Sequence, residues 1–434
     1  MTGAHDRTLI VGGGIAGLLC ARTLARAGAN VVLYEREHEV GGRVRTTVRD
    51  GFRLDHGFQV LFSAYPTLAA VLDLPALQLR AFQPAARLAL AGNRPALIGD
   101  ALADLSLLWP TLVAPQLSLL DKVRMLRLRY FATSLSFDAC FAPRFDRVTT
   151  SEFLRQRGFS ARAISSFFAP FYGGILLDRS LETSASVLLY TFKMLAEGRT
   201  VVPTMGMGAI PAQLAAQLPA GTVHTGHGVS RLLHDDAGVC GVVLDTGAQL
   251  RASRVVLACD PPAIAALAMT ARVQVDIPDA SLGCTTVYLR SRAPLLAGTA
   301  LWLNGSANAT VSHAITISNV APSYAPENES LTAATMLGAA AVLDDAELVG
   351  RVRTDLAAMG GNARCASAEL LAIWRVPYSQ YAQPPGSLGR RVAAETADRG
   401  VFVASEIGHT SSLEGAARGG IAAAEAVLRG AAGK

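Results

Sequence analysis

The sequence predicts a mixed α/β chain of two domains, one of them a parallel-sheet unit interrupted twice by the other. Three observations carry this expectation. A strand–glycine turn–helix–strand unit opens the chain, short β-branched runs return in the middle and near the end, and the segments between are helical or mixed. The length of 434 residues agrees, because it exceeds one comfortable core and suits two joined domains of roughly 100–250 residues each.

In chain order, residues 8–11 read as a short buried strand. Residues 15–27 read as a helix, with Ile15, Leu18, Leu19 and Leu24 recurring at helical spacing, and residues 30–34 as a second buried strand. From 81 to about 200 the pattern turns to long Leu- and Phe-rich helical stretches. Strand-like runs return at 222–225, 239–244 and 254–258, with turns at Asp235-Asp236 and Thr246-Gly247. Residues 401–404 form one more predicted strand, and 415–428 a final alanine-rich helix.

Composition excludes several classes. Hydrophobic residues at 51% and charged residues at 17% rule out a disordered chain. A mean hydropathy of +0.32 raises the question of a membrane span. The greasiest stretch, 101–120, nevertheless carries Asp104 and is broken by Pro110 and Pro115, so no spanning helix is expected. The net charge of +5 is spread along the chain without a basic block, which argues against nucleic acid as a partner. The six cysteines show no paired spacing with each other or with histidines, so neither a metal site nor a disulfide scaffold is expected. The first apolar run leads straight into a glycine loop rather than a signal peptide, and a cytoplasmic location follows as an expectation.

The chemistry concentrates in Gly12, Gly13, Gly14, Ile15, Ala16 and Gly17, a Gly-x-Gly-x-x-Gly turn between strand and helix. The first glycine permits the tight turn, the second lets backbone approach a pyrophosphate, and the third allows helix to pack on strand. The helix N-terminus then offers N–H groups and a positive dipole end to the anion. Glu35 ends the second strand, where a carboxylate can accept hydrogen bonds from ribose hydroxyls and disfavours a 2′-phosphate; Arg36 follows it. This is the pattern of a Rossmann-type dinucleotide site.

Four further stretches stand in order: residues 40–46 (VGGRVRT), 52–60 (FRLDHGFQV), 373–381 (IWRVPYSQY) and 400–420 (GVFVASEIGHTSSLEGAARGG). With them the chain resembles the FAD-dependent amine oxidase, phytoene desaturase and protoporphyrinogen oxidase superfamily, over about half of its length. The resemblance implies a Rossmann-type FAD-binding domain of the glutathione-reductase-like kind, from residues 1–75, 203–270 and 385–434. An inserted helical and β-sheet substrate-binding domain would comprise 76–202 and 271–384. It implies that Gly42 and Arg43 approach the FAD pyrophosphate, that Gly57, Phe58 and Gln59 line the isoalloxazine, and that Val229 bonds the adenine through its backbone, beside Ala258. Glu406 would lie near the ribityl and phosphate groups. The N–H groups of Leu413, Glu414, Gly415 and Ala416 would face the flavin pyrimidine edge, where reduction places negative charge.

Departures from the family pattern shape the expected function. The stretch 281–290, where amine oxidases of the superfamily keep a lysine near flavin N5, has none, and Lys193 reads as an exposed helical lysine rather than a substitute. No cysteine lies in 405–420, so FAD is expected to be noncovalent. Gly206-Met-Gly208 lacks a third glycine and reads as a turn into a 211–218 helix, not a second nucleotide loop. His56 and His409 lie near the flavin motifs but read as structural histidines. The aromatic cluster 167–172 suits either an apolar tunnel or a core. The stripe Leu119, Val123, Leu126, Tyr130 among Lys122, Arg124, Arg127 and Arg129 reads as an ordinary helix of the substrate domain, with a membrane-surface helix as the alternative. No catalytic residue is assigned. The expectation is an FAD-dependent oxidoreductase that dehydrogenates a hydrophobic small molecule by hydride transfer to flavin N5, in the manner of carotenoid desaturases, with oxygen or a quinone as acceptor and peripheral membrane contact open. Oxidation of an amine, with Trp374 and Tyr378 as the candidate aromatic cage, or of a porphyrinogen is the alternative. A redox-neutral isomerase or a non-catalytic flavoprotein is the third.

Overall fold

The computed structural model describes residues 7–90, 94–236, 238–278, 280–306, 309–360 and 362–432. Its fold is mixed α/β, built on two large sheets. The first is a five-stranded parallel sheet in the order Val223–His224, Asn30–Tyr34, Arg7–Val11, Arg254–Leu257, Val401–Val403. Strand periodicity explains its two buried faces. Leu9 and Val11 point to one face, with Leu232 and Val242 of an antiparallel meander formed by Val229–Asp235, Gly238–Leu244 and Gln249–Arg251. Ile10 points to the other, with Leu18 of the Ile15–Arg26 helix and Ala423 of the Leu413–Ala432 helix. Those two helices cross at backbone distance, since a Cβ at Gly420 would stand 2.2 Å from the Ala16 carbonyl oxygen.

The second sheet has seven strands in the order Glu369–Tyr381, Ser281–Ser291, Ser330–Leu337, His313–Thr316, Leu301–Asn304, Ala85–Ala89, Ala96–Gly99. Its last two strands lie where the sequence predicts helix. Ala85–Ala89 buries Ala86, Leu88 and Ala89, too short a pattern to fix the period, and it is fixed as a strand by parallel pairing with Leu301–Asn304, more than 200 residues away. The remaining insert is helical, including Leu119–Ser134, Thr150–Gln156 and Ala185–Glu197. The final helix is longer than expected, Leu413–Ala432, because Ser412 Oγ accepts from the Gly415 N–H at 2.9 Å and starts it early. Gly206 and Gly208 form a turn over Thr46 into a helix of Ala209–Ala215.

Two expectations about side chains are corrected. Lys193 is buried, not exposed; its ammonium pairs with Glu197 one turn on and donates to the Thr133 carbonyl. The Leu119–Ser134 helix does not turn its apolar stripe inward. Leu119, Val123, Leu126 and Tyr130 are exposed, while Asp121, Leu128 and Ala132 are buried. Asp121 sets this rotation. Its carboxylate accepts from the Ser118 hydroxyl and N–H, and from the Ser160 hydroxyl and N–H at the start of the next helical segment. Burial acts against its charge, but these bonds hold its pKa down at about 2.

Among the described residues, no helix is long and apolar enough to cross a membrane.

Candidate functional site

A single cavity of about 1410 Å³ runs from the glycine turn, past the second sheet, into the helical insert. It exceeds the roughly 300–1,000 Å³ of an ordinary small-molecule site, and so has room for a dinucleotide and a second ligand together.

At its first end, Gly12, Gly14, Ile15 and Ala16 line the wall. Gly12 has φ +111° and a Cβ there would stand 2.7 Å from the Ala258 carbonyl oxygen, so only glycine fits. Gly14 is different. A Cβ would meet protein no nearer than 4.0 Å, at the Gly41 carbonyl oxygen, and would project into open space beside the helix N-terminus. That terminus has no side-chain cap and no acidic residue in its first turn, so its N–H groups are left for an anion. Gly13 and Gly17 lie behind this wall. The Gly13 N–H donates to Glu35 Oε2 at 2.6 Å, and Gly17 packs against Gly12. Glu35 Oε1 accepts from the Glu37 N–H at 2.9 Å, so this buried carboxylate shapes its own loop while lining the cavity beside Arg36. Val229, Ser230, Ala258 and Cys259 complete this end.

In the middle, Gly42, Arg43, Gly57, Phe58, Gln59 and Glu406 meet. Arg43 is not free: it donates to Glu406 Oε1 at 2.5 Å and to the Ser379 carbonyl at 3.0 Å. Burial works to lower the Arg43 pKa, but the Glu406 charge outweighs it and the guanidinium titrates above its ordinary value. Burial likewise works to raise Glu406, and Arg43 reverses it, holding the carboxyl below its usual range. Gln59 donates to the Arg43 and His56 carbonyls, which leaves its Oε1 buried without a partner. An orphaned acceptor at a glycine-lined cradle fits a ligand that donates a hydrogen bond there. Gly14, the uncapped helix and Gln59 together fit a bound dinucleotide such as FAD.

Leu413 and Ala416 line the same cavity from the last helix, but Glu414 and Gly415 do not. The Glu414 carboxylate turns away to accept from the Thr67 and Leu68 N–H groups and from Arg418. Gly415 instead packs on the Thr410 carbonyl.

The far end is apolar. Phe82, Leu117, Phe167, Phe171, Tyr172 and Phe192 line it. The aromatic cluster divides by helix face: Phe167 and Phe171 stack at 5.7 Å on the cavity wall, whereas Phe168 is fully buried in the core. Phe167 and Phe171 share a face by their i, i+4 spacing, where a π-helical turn, Ile164–Phe168, runs into the Ala169–Leu176 helix. Neither Trp374 nor Tyr378 lines the cavity. Trp374 stacks on His56 at 4.0 Å, and Tyr378 lies beneath Arg43. His56 is held by Thr47 at 2.8 Å, and its pKa is pushed down to about 4 by burial and the Arg45 charge. His409, outside the cavity wall, is likewise lowered to about 4, by burial and the nearby arginines.

A titratable wall residue, His313, is one that the sequence does not single out. His313 lies on a strand of the second sheet, its ring 5.4 Å from Phe58, with Nδ1 buried and unpartnered. Burial and the Arg179 charge push its pKa down to about 4, so it is neutral near pH 7. The signal that could have found it is a histidine inside the apolar run 311–315. Cys284 and Cys259 also line the cavity; burial raises both thiols, Cys259 to about 12, so neither is a thiolate nucleophile.

Against this geometry, a family profile described as flavin containing amine oxidoreductase matches residues 15–428. Among curated proteins, the chain is 34% identical over 67 residues to protoporphyrinogen oxidase 2, chloroplastic/mitochondrial, of Arabidopsis thaliana, covering 15% of this chain and 13% of that one. It is 41% identical over 63 residues to 15-cis-phytoene desaturase of Synechococcus elongatus, covering 14% and 13%. These matches therefore span only a small part of each relative's length. A putrescine oxidase with bound putrescine superposes over 98% of this chain and 99% of that one, with a TM-score of 0.71 and 18% identity, a likeness of fold alone.

Proposed function

The chain belongs to the flavin containing amine oxidoreductase family, whose members are flavin-dependent oxidoreductases, and on that premise we propose that it binds FAD noncovalently and dehydrogenates a lipophilic small molecule, in the manner of carotenoid and isoprenoid desaturases. The observation that carries this reading is the continuity of one cavity from the glycine cradle to an aromatic, largely apolar chamber. The nucleotide unit is read as the glutathione-reductase-like kind, assembled from 1–75, 203–270 and 385–434.

Bound FAD supplies a two-electron acceptor that takes hydride at N5. The chain's own residues do the rest. Gly12, Gly14, Ile15 and Ala16 present backbone to the pyrophosphate, with Gly42 opposite. Glu35 faces the ribose, and Val229 and Ala258 the adenine. Glu406 and the Ser379 carbonyl fix Arg43 in one orientation at the cavity wall. Gly57, Phe58 and Gln59 border the ring, Gln59 Oε1 taking the donor it lacks. At the start of the last helix the Leu413 N–H would be the backbone donor where negative charge develops, since the Gly415 N–H is taken by Ser412 Oγ and the Ala416 N–H by the Ser412 carbonyl. Phe167, Phe171 and Tyr172 exclude water and hold an apolar chain by shape, so that positioning supplies much of the rate.

The lipophilic substrate class is supported over an amine because Trp374 and Tyr378 stand outside the cavity wall, and Lys193 is turned away into an ion pair. The test is anaerobic addition of candidate substrates to the purified holoprotein. An isoprenoid polyene in detergent is expected to bleach the visible flavin band. Bleaching by putrescine or a porphyrinogen, with none by any isoprenoid, would overturn the substrate class. Acid precipitation is expected to release all of the flavin into the supernatant.

A further inference from the structure

Among the described residues, large exposed apolar side chains gather on one face, formed by the Leu108–Val113 helix with the turn before it and the Leu119–Ser134 helix. Leu105 is 79% exposed, Trp109 72% and Tyr130 78%, with Leu119 and Val123 beside them. A soluble monomer rarely shows so large a contiguous apolar patch without a partner for it. The stripe faces solvent because Asp121, bound by Ser118 and Ser160, locks the helix in that rotation.

Two further observations identify the partner. First, the Leu119–Ser134 helix carries Lys122, Arg124, Arg127 and Arg129 against one acidic residue of its own, the buried Asp121; Arg124 pairs with Asp121, Arg129 with Asp100, and Lys122 donates to the Leu112 and Ala114 carbonyls, so Arg127 is the exposed cation beside the stripe. Second, Leu108, Leu112 and Leu126 are exposed and also line the cavity, so the cavity reaches the surface within this face. We propose that this face docks on a bilayer containing anionic phospholipids, the two helices lying in the interfacial plane, and that the cavity mouth between them admits the substrate directly from the acyl region. The apolar stripe would enter the acyl boundary while the exposed Arg127 meets lipid phosphate. A second copy on the same face would close the mouth and set the basic helix against its own like. The entry route rests on the proposed lipophilic substrate; the docking face does not.

The test uses the full-length holoprotein with extruded vesicles of phosphatidylcholine alone or with phosphatidylglycerol. Trp109 is the reporter, since Trp302 is buried with its indole N–H on the Ala297 carbonyl and Trp374 is stacked on His56. Expected results are flotation with the anionic vesicles, weakened by salt, and a blue shift of Trp emission quenched by brominated acyl chains. The double variant Trp109→Ser/Val123→Ser, neither residue lining the cavity, should lose at least tenfold in partitioning and keep its flavin content and melting temperature. Val342→Ser, exposed elsewhere, should not change partitioning. Failure to float on anionic vesicles, or flotation that the double variant leaves intact, overturns the docking face. Dimerisation abolished by the double variant, with no flotation, assigns the face to a second copy and also overturns it. Flotation without flavin reduction by any lipophile leaves docking standing and overturns the substrate reading. Flavin reduction in detergent without flotation does the reverse.

Discussion

Gly12 and Gly14 lie two residues apart in one turn and are glycine for different reasons, which separates folding from binding at single-residue scale. At Gly12 a Cβ collides with the Ala258 backbone and φ is +111°, so Gly12→Ala is expected to lower the melting temperature and the flavin content together. At Gly14 a Cβ meets no protein atom closer than 4.0 Å, so Gly14→Ala should melt like the parent yet bind FAD at least about tenfold more weakly, roughly 1.4 kcal/mol. Fluorescence titration of the apoprotein checks this, and an unchanged affinity would remove the pyrophosphate from that wall. His313 makes a second residue-scale prediction. Its folded pKa of about 4 lies below the ordinary 6.5, so the folded state resists protonation and the penalty grows as pH falls from about 6.5 to 4. At the acid end this amounts to about 3 kcal/mol. Replacing His313 with Leu should shrink the acid loss of stability by that order, read from urea midpoints at pH 7 and pH 4.5. The tight turn at Gly12 and the close packing at Gly17 were legible in the sequence because they follow from local backbone geometry. His313 was not, because a histidine's meaning depends on Phe58 and Arg179, more than 100 residues away.

Asp55 shows how one short strand is tied to segments remote in sequence. It ends the Phe52–Asp55 strand, fully inside the protein, and accepts from Thr46 Oγ1, the Met207 N–H at 2.9 Å and the Tyr324 hydroxyl at 2.9 Å. Burial nevertheless raises its pKa to about 6, from 3.8. A folded pKa above the unfolded one means that Asp55 favours the fold most at low pH, and that this contribution is lost as pH rises through about 6; the difference is about 3 kcal/mol. Asp55→Asn retains an acceptor for Thr46 and Met207 and can donate to Tyr324, so it should be no less stable at pH 7.5 and show a flatter stability profile between pH 4 and 7. A variant with an unchanged profile would contradict the assignment. Element by element, the opening strand–helix–strand unit and the last helix were legible from apolar spacing, because their cores are built from near neighbours. The strands Ala85–Ala89 and Ala96–Gly99 were not, since their pairing with Leu301–Asn304 is remote in sequence. The Leu119–Ser134 stripe was visible, but the direction it faces was decided by Asp121 and Ser160 rather than by its apolar spacing.

At the scale of the whole molecule, strands from the beginning, middle and end of the chain close one parallel sheet, and the cavity runs from that sheet's glycine turn into the insert. The nucleotide end was readable because its motifs are short and ordered. The chamber was not, because its shape comes from aromatic side chains brought together by helices with no motif of their own. The absence of a lysine from 281–290 could be read directly; the burial of Lys193 was beyond any local signal. The measurement that bears most directly on the account is the flavin stoichiometry of the purified full-length protein, wild type beside Gly14→Ala, after incubation with excess FAD and removal of the unbound. The account predicts about one FAD per wild-type chain, noncovalently held, and a much smaller fraction for a Gly14→Ala protein of equal melting temperature. A colourless wild-type protein, or equal occupancy in the two, would contradict it.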